Sequence, residues 1–315
     1  MSATVASDGQ TLPMHSSISY VQAVVIGLLQ GFTELVPVSS LGHSVLVPAW
    51  IGHSWSQLVG QENAKESHYL AFLVGLHVAT ALALLVHFRS EWVRILGGGW
   101  ATVRDRKMMT ETPDQRLFWL LVVVTVPVGV LGLAFEHILR TAFAKPLAAA
   151  VFLTVNGVIL LAGERLRQRS QVTALAAREG TTEEGGRRLD TLDLKEGFLI
   201  GVGQSLALLA GISRSGVTMV AGLIRGLDHE DAARFSFLAA TPVILAAGVY
   251  KLPDLVGSNG NGIRGQVLVG SICAFCAAYV AVRFLERFFQ TRTLLPFAVY
   301  SLVVGAASVI RFGFF

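Results

Sequence analysis

One apolar run of the sequence, LLQGFTELVPVSSLGHSVLVPAW, contains an unusual set of polar side chains. Gln30 and Glu34 are four residues apart, so they share one face of a helix. Pro37 cannot donate a backbone hydrogen bond and disfavours helix at the residue before it, so it ends that helix. Ser39 and Ser40 then begin a second helix. The sequence therefore predicts two short helices with polar groups at the break between them.

A serine and a histidine follow the break at helical spacing. Ser40 and His43 are three residues apart, so a helix brings the imidazole within reach of the hydroxyl. A serine with a base one turn away is an activated nucleophile. Glu34 could orient the imidazole or hold a cation. The pattern indicates nucleophilic chemistry at this break.

A second polar break occurs in AGISRSGVTMVAG. Arg214 offers a planar fork of donors that suits a phosphate group. Ser213 is expected to cap a helix whose free N–H groups favour an anion. Ser215 and Thr218 add two hydroxyls. The two breaks together predict a cradle for phosphate or pyrophosphate.

Packing is the alternative explanation for polar residues in apolar helices, and small hydroxyl residues often serve it. We assign His77 and His87 to packing or interfacial positions. Glu34 and Arg214 are harder to explain in this way, because an ionised group at membrane depth costs about 2.5–3.5 kcal/mol. A purely structural ion pair between those two residues remains the alternative.

The composition identifies the class of protein. The chain has 315 residues, of which 53% are hydrophobic and only 15% are charged. A soluble domain carries about 25% charged residues. The net charge is only +4, and the basic residues fall in short blocks between apolar runs. This pattern indicates an integral membrane protein and argues against nucleic-acid binding.

Eight apolar stretches follow the first polar residues. Six are close to the length that crosses a bilayer, namely 69–88, 117–135, 146–163, 235–250, 265–282 and 294–310. The other two, 18–50 and 197–226, are longer and are interrupted by Pro or Gly beside polar residues. Each is either two full spans or a re-entrant hairpin of two short helices.

The basic residues predict the orientation. They concentrate in 89–116, 164–195 and 283–292, which the positive-inside rule places in the cytoplasm. An offset of 174 residues aligns the two interrupted stretches and pairs Ser39 with Ser213. Their opposite predicted directions indicate an inverted repeat with a site near the midplane. The predicted organisation is a disordered tail, a first half, a cytoplasmic linker and a second half, at 1–16, 17–163, 164–195 and 196–315.

These motifs resemble those of the bacterial undecaprenyl-diphosphate phosphatases of the bacitracin-resistance type. The first family motif, E/Q-G-x-x-E-F/L-x-P-V-S-S-x-G-H, is matched by QGFTELVPVSSLGH. The second, P-G-x-S-R-S-x-x-T, is matched by AGISRSGVT. Gln30 stands where many members have Glu, which puts a metal role for that position in doubt, and Ala210 replaces the family's Pro.

The resemblance implies an all-α fold of six transmembrane helices plus two re-entrant hairpins in an inverted repeat, in the bacterial inner membrane. It also implies hydrolysis of undecaprenyl diphosphate with a divalent cation, Mg or Ca, which recycles the carrier for cell-wall synthesis and confers bacitracin resistance. Carried over by position, the catalytic residues are Glu34, Ser40, His43 and Arg214, with Glu34 also as the metal ligand. The substrate-binding residues are Gln30, Ser39, Ser213, Ser215 and Thr218.

Several alternatives stay open at this point. Ser40 could attack with His43 as its base, His43 could itself be the nucleophile, or Ser40 could orient a water. A polyprenyl-phosphate flippase without hydrolysis would share the architecture. The type-2 phosphatidic acid phosphatases have similar short motifs, but they require a histidine sooner after Arg214 than His229. The expected partners are the bilayer and the lipid diphosphate, with no nucleic acid, and the chain is compatible with a homodimer.

Overall fold

The structure is a computed structural model that describes residues 18–61, 68–104, 112–143, 145–177, 187–257 and 262–314. The predicted tail at 1–16 lies outside the described residues. The described residues form twelve α-helices. These are α1 (Tyr20–Leu35), α2 (Ser40–Ile51), α3 (His53–Gln61), α4 (His68–His87), α5 (Arg89–Arg104), α6 (Pro113–Phe143), α7 (Pro146–Ala177), α8 (Leu194–Gln204), α9 (Arg214–Ile224), α10 (His229–Val256), α11 (Arg264–Phe289) and α12 (Leu295–Phe314).

Six of the described helices are long and apolar enough to cross a membrane. They are α4, α6, α7, α10, α11 and α12, which confirms the six predicted spans. The predicted boundary between residues 163 and 164 falls inside α7, which continues to Ala177. The residues after that boundary are rich in Arg, Gln, Leu and Ala, which favour helix, so the span extends into the predicted linker.

Both interrupted stretches contain a helix break at the expected place. α1 ends before Pro37, and Ser39 caps α2 by accepting a hydrogen bond from the N–H of Gly42 at 3.2 Å. In the second stretch, Ser213 caps α9 by accepting from the N–H of Gly216 at 3.2 Å. The two capping serines are the residues that the offset of 174 pairs. They accept the same capping hydrogen bond, but their backbones differ, with a φ of 70° at Ser39 and −85° at Ser213.

The position of α1 is fixed by close packing on α11. A Cβ atom at Gly27 would lie 2.4 Å from the carbonyl oxygen of Gly270, and one at Gly31 would lie 2.1 Å from that of Ala274. Only glycine allows the two backbones to approach so closely, as in the small-residue contacts of membrane helices. This contact places Glu34, one turn after Gly31, in a fixed position.

The three basic segments meet at one end of the bundle, around the start of α10. The segment 89–116 begins as a helix, α5, and not as a loop. Three hydrogen bonds join the segments to α10: Arg234 donates to Glu91 at 3.1 Å, the N–H of Leu189 donates to Asp231 at 2.8 Å, and Gln290 donates to Glu230 at 3.2 Å. The segments predicted to be cytoplasmic therefore lie on the same side of the molecule.

Candidate active site

A cavity of about 260 Å³ lies between the two helix breaks and is closed by α4 and α10. Its walls are mainly apolar, with leucine, valine, isoleucine and alanine side chains. Its polar groups are Glu34, Ser39, Ser40, His77, Ser213, Arg214 and Lys251. An apolar pocket with a few convergent polar groups is the usual form of a ligand site.

Glu34 accepts three hydrogen bonds in this cavity and is only 8% exposed. Arg214 Nη2 donates to Glu34 Oε1, and the Ser40 hydroxyl donates to Oε2. Gln30 Nε2 donates to the same Oε2 at 3.0 Å, as its helical spacing predicts. His77 Nε2 lies 3.5 Å from that oxygen. The buried carboxylate is thus compensated by a guanidinium and by two neutral donors, Ser40 and Gln30.

Arg214 is shared between the carboxylate and the protein backbone. Its Nη1 donates to the carbonyl oxygen of Ala240 at 3.0 Å, while Nη2 donates to Glu34. Its side chain is mostly buried and lines the cavity. The ion pair that we considered as a structural alternative is therefore present, and the same guanidinium also faces the space where a phosphate would bind.

The expected pairing of Ser40 with His43 is not formed. His43 Nδ1 lies 2.7 Å from the carbonyl oxygen of Ser39, and because a carbonyl only accepts, Nδ1 carries the proton. His43 Nε2 then accepts from the hydroxyl of Tyr300 at 2.8 Å, and the two rings stack. Both ring nitrogens have partners, so the ring turns toward α12. The Ser40 hydroxyl donates to Glu34 instead.

Ser39 joins the two helix breaks. Its hydroxyl oxygen accepts from the N–H of Gly42 and from the N–H of Gly211, both at 3.2 Å. Ser39 has a φ of 70°, a strained conformation for a residue with a side chain. Gly211 has a φ of 113°, and a Cβ atom there would lie 2.4 Å from the carbonyl oxygen of Ala149. Ser39 therefore organises the backbone as well as lining the cavity.

The structure adds a cavity residue that the sequence did not single out as functional. His77 is not a packing residue, because it lines the cavity and faces Glu34. Its Nδ1 lies 2.8 Å from the carbonyl oxygen of Leu73, so the proton is on Nδ1 and Nε2 faces the carboxylate. His87 contacts Glu286 at 2.6 Å at the end of α4, as expected for an interfacial position. In the sequence, the only sign that His77 has a role in the cavity is that a histidine stands within an apolar span.

Three predicted binding residues are not among those that line the cavity. Thr218 donates to Gln204 at 3.1 Å, and the hydroxyls of Ser215 and Ser213 are 3.0 Å apart. Gln30 reaches the site only through Glu34. Gln30 and Ser215 therefore contact polar groups of the cavity from behind, whereas Thr218 contacts Gln204, which does not line the cavity.

Asn156 was also missed, and it connects the two helix breaks from α7. It is fully buried, at 0% exposure. Its Nδ2 donates to the carbonyl oxygen of Pro37 at 3.0 Å and to the hydroxyl of Ser301 at 3.2 Å, and its Oδ1 accepts from the N–H of Ser213 at 2.9 Å. In the sequence, the sign that Asn156 has a buried polar partner is that an asparagine stands in the middle of an apolar span. It fixes the turn before Ser40 against the turn before Arg214.

Replacing Asn156 with aspartate is expected to lower kcat about 10–100-fold with little change in KM. Aspartate keeps the acceptor for Ser213 but loses both donors, so the break at Pro37 is released, and a small misplacement of catalytic groups has a large effect on rate. Thr154→Val is the control, since the Thr154 hydroxyl bonds only within its own helix, to Ala150. Steady-state kinetics in detergent measure both variants, and a wild-type kcat for Asn156→Asp would remove Asn156 from the site.

The oxygen atoms near Glu34 determine whether a cation could bind. Among the described residues, no group of three His, Cys, Asp or Glu side chains is placed to hold a metal ion. Gln30 Oε1 is buried and has no hydrogen-bond partner in the described part of the chain. Magnesium and calcium take oxygen ligands, and magnesium is often held by one or two protein groups plus substrate phosphates. Gln30 and Glu34 fit that partial role.

Known proteins resemble this chain over almost its whole length. Residues 23–307 match the family model described as bacitracin resistance protein BacA. Undecaprenyl-diphosphatase 2 of Frankia alni is 56% identical, over 95% of this chain and 99% of that protein. Undecaprenyl-diphosphatase of Mycolicibacterium paratuberculosis is 58% identical, over 94% of this chain and 98% of that protein. A third relative, undecaprenyl-diphosphatase 2 of Chromobacterium violaceum, is 41% identical, over 92% of this chain and 98% of that protein.

Proposed function

The chain belongs to the BacA family of bacitracin resistance proteins, and from this we infer that it hydrolyses undecaprenyl diphosphate to undecaprenyl phosphate and inorganic phosphate. It is a multi-pass enzyme of the bacterial inner membrane. Its reaction returns the lipid carrier to cell-wall synthesis and underlies bacitracin resistance. The observation that supports an active site for this reaction is the cavity in which Ser40, Glu34 and Arg214 converge.

We propose that the two interrupted stretches are re-entrant hairpins of an inverted repeat, within halves at 17–163 and 196–315. Two observations support this. The paired serines, Ser39 and Ser213, cap their helices in the same way, and the breaks contact each other through Ser39 and Gly211. Such tips are tolerated at membrane depth because they line a polar cavity. A homodimer stays a prediction, which the mass of the purified protein in detergent would test.

The cavity suits the head of the lipid better than its tail. A volume of about 260 Å³ is far too small for an undecaprenyl chain, and the polar groups of the lining, with Arg214 among them, converge on this space. We propose that the diphosphate binds at Arg214 and at the N-termini of α2 and α9, where free N–H groups favour an anion. Lys251 adds a second positive charge to the lining. The prenyl chain leaves along the apolar wall into the bilayer.

The proposed first step is attack by Ser40 on the terminal phosphorus. The Ser40 oxygen forms a bond to that phosphorus, the bond from phosphorus to undecaprenyl phosphate breaks, and the hydroxyl proton passes to Glu34 Oε2, to which it already donates. Arg214 donates to the phosphoryl oxygens, where charge is spread in the transition state. Glu34 passes that proton to the departing undecaprenyl phosphate and is a carboxylate again. Water then attacks the phosphoserine, Glu34 takes a proton from that water and gives it to the Ser40 oxygen as the bond from that oxygen to phosphorus breaks, and inorganic phosphate leaves.

In this mechanism His43 is a positioning residue. Its Nδ1–H holds the Ser39 carbonyl, which belongs to the turn that carries Ser40. We expect His43→Ala to lower kcat about 10²–10⁴-fold, as it would for a base. His43→Asn should recover a measurable part of that loss, because its amide can still donate to Ser39. Equal inactivity of both variants, together with rescue of His43→Ala by added imidazole, would instead make His43 the base.

A divalent cation is part of the proposal, with Gln30 Oε1 and a Glu34 oxygen as its protein ligands. When bound, it would neutralise charge on the diphosphate. Chelation is therefore expected to lower phosphate release. Gln30→Glu should lower the free magnesium concentration needed for half-maximal rate by about tenfold, because it adds a carboxylate ligand. Gln30→Leu should raise it. Manganese affinity, measured by electron paramagnetic resonance, should be highest in Gln30→Glu, intermediate in wild type and lowest in Gln30→Leu. An unchanged cation dependence in both variants would contradict these ligands.

Hydrolysis can be separated from lipid transport by removing the bilayer. A flippase has nothing to move across in detergent micelles, whereas a phosphatase still releases phosphate. We expect purified protein in detergent to convert undecaprenyl diphosphate to equal amounts of undecaprenyl phosphate and inorganic phosphate. Movement of the lipid across vesicles, with no phosphate released under any cation condition, would support the flippase alternative instead.

A further inference from the structure

Helix α5 exposes a continuous apolar stripe that the enzyme mechanism does not use. Val93, Leu96, Trp100 and Val103 are spaced by three, four and three residues, so they lie on one side of the helix. They are 73%, 55%, 69% and 60% exposed. A helix that faced water would not present four large apolar side chains in a row. The stripe therefore faces something other than water or the protein itself.

The rest of α5 divides into two further faces. Successive residues turn by about 100° around a helix, which separates the mean directions of the three faces by roughly 95–150°. One face packs on the protein, since Ile95 and Thr102 are buried and a Cβ atom at Gly99 would lie 2.5 Å from the Phe118 ring. The other is polar and exposed, with Ser90, Arg94, Gly97 and Arg104. One side for protein, one for water and one for an apolar phase is the pattern of an interfacial helix.

The location of α5 identifies that apolar phase. α5 connects the spans α4 and α6, but with 16 residues it is too short to cross the bilayer and is not among the candidate spans. Arg234 fixes Glu91 to α10 at 2.9 Å, at the end where the basic segments meet. Tryptophan and arginine prefer the headgroup region, and basic residues there attract anionic lipids. A second copy of the chain fits this surface less well than lipid, because covering the helix with protein would remove water from the arginines of the polar face.

We propose that α5 lies along the bilayer surface on the basic side of the protein, with its apolar stripe inserted at the boundary of headgroups and acyl chains. Its partner is the leaflet of anionic phospholipid. The neighbouring spans support this, because Leu82 and Val86 of α4 and Val122 and Val126 of α6 are also exposed apolar residues. The spans that precede and follow α5 in the chain therefore also turn large apolar side chains outward. α5 would act as an anchor that holds the basic end at the membrane surface.

A fluorescent label on each face of α5 tests this proposal. The two native cysteines, Cys273 and Cys276, are first replaced with alanine, and a polarity-sensitive label is attached at Val103→Cys or at Gly97→Cys, two positions about 120° apart around the helix. Gly97 is the matched control, because it lies on the polar face of the same helix and a side chain there meets no atom within 4 Å. Each protein is placed in nanodiscs that contain phospholipid with a spin label near the headgroup.

We expect the label at position 103 to be quenched several-fold more than the label at 97, and more in phosphatidylglycerol than in phosphatidylcholine discs. Equal quenching at the two positions would overturn the proposal. A label at 103 that no lipid quenches, while cysteines at 103 cross-link two chains, would also overturn it and would make the stripe a protein interface. Leu96→Cys and Ser90→Cys form a second pair for the same comparison, should either first variant fail to fold.

Discussion

Replacing Ser40 with alanine is expected to lower phosphate release from undecaprenyl diphosphate by about 10⁴-fold or more, with the melting temperature close to wild type. Ser40 is the only serine that lines the cavity and donates its hydroxyl to Glu34 among the described residues. Its loss removes the attacking oxygen. It leaves the bonds of Gln30 and Arg214 to the carboxylate in place, so the cavity should persist.

Ser44→Ala is the matched control for this effect. Ser44 lies one turn later on α2, is also buried, and donates only to the carbonyl oxygen of Ser40 at 3.0 Å. The same chemical change there should leave kcat within a few-fold of wild type. Phosphate release and thermal unfolding are measured on both variants in the same detergent. A Ser40→Ala variant that turns over at near wild-type rate would exclude Ser40 as the nucleophile.

Replacing Arg214 with lysine is expected to lower kcat about 10²–10³-fold while the protein stays folded. Lysine keeps the positive charge beside Glu34 but loses the planar fork, which in this structure serves the carboxylate and Ala240 at once. With substrate present, we expect that fork to bind the terminal phosphoryl group in its transition state. The loss should therefore appear in kcat more than in substrate affinity.

Arg214→Ala addresses stability and not chemistry. Because the ion pair is present, alanine leaves the buried Glu34 carboxylate without its cation, which should destabilise the fold by about 3–5 kcal/mol. Arg234→Lys is the control for the lysine variant, since Arg234 forms the comparable pair with Glu91 at 2.9 Å, away from the cavity. A fully active Arg214→Lys variant beside an unfolded Arg214→Ala variant would reduce Arg214 to a structural partner of Glu34.

The parts of the site that the sequence predicts are those governed by local rules. Pro37 ends α1 because of its own chemistry, and Ser39 and Ser213 cap helices because their oxygens reach N–H groups three residues later. The contact between Gln30 and Glu34 follows from the turn of a helix. Such features depend on neighbours within four residues, so one sequence is enough to infer them.

The errors arise where a side chain chooses between local and distant partners. Spacing alone allows His43 to reach Ser40, but Tyr300, 257 residues away, takes its second ring nitrogen. Nothing near Tyr300 in the sequence points to His43. The roles of Asn156 and His77 likewise depend on partners far away in the sequence, Pro37 and Glu34. A polar residue inside a span indicates that a partner exists but does not identify it.

The length of α7 and the presence of α5 show a different limit. Hydropathy marks where a helix leaves the bilayer, and α7 was found by that signal. It does not mark where the helix ends, because a helix can continue in water on good helix-forming residues. α7 therefore runs to Ala177, and α5 forms in a segment whose arginines suggested a simple connection.

The most direct test of the proposed site is to find the phosphate on the enzyme during turnover. Wild-type protein and Ser40→Ala are mixed with undecaprenyl diphosphate labelled in its terminal phosphate, quenched within the first turnover, digested and examined by mass spectrometry. We predict phosphate on the peptide that contains Ser40 in the wild-type protein, and none in the variant. Phosphate on His43, or a full turnover of lipid with no phosphate on the protein, would contradict attack by Ser40.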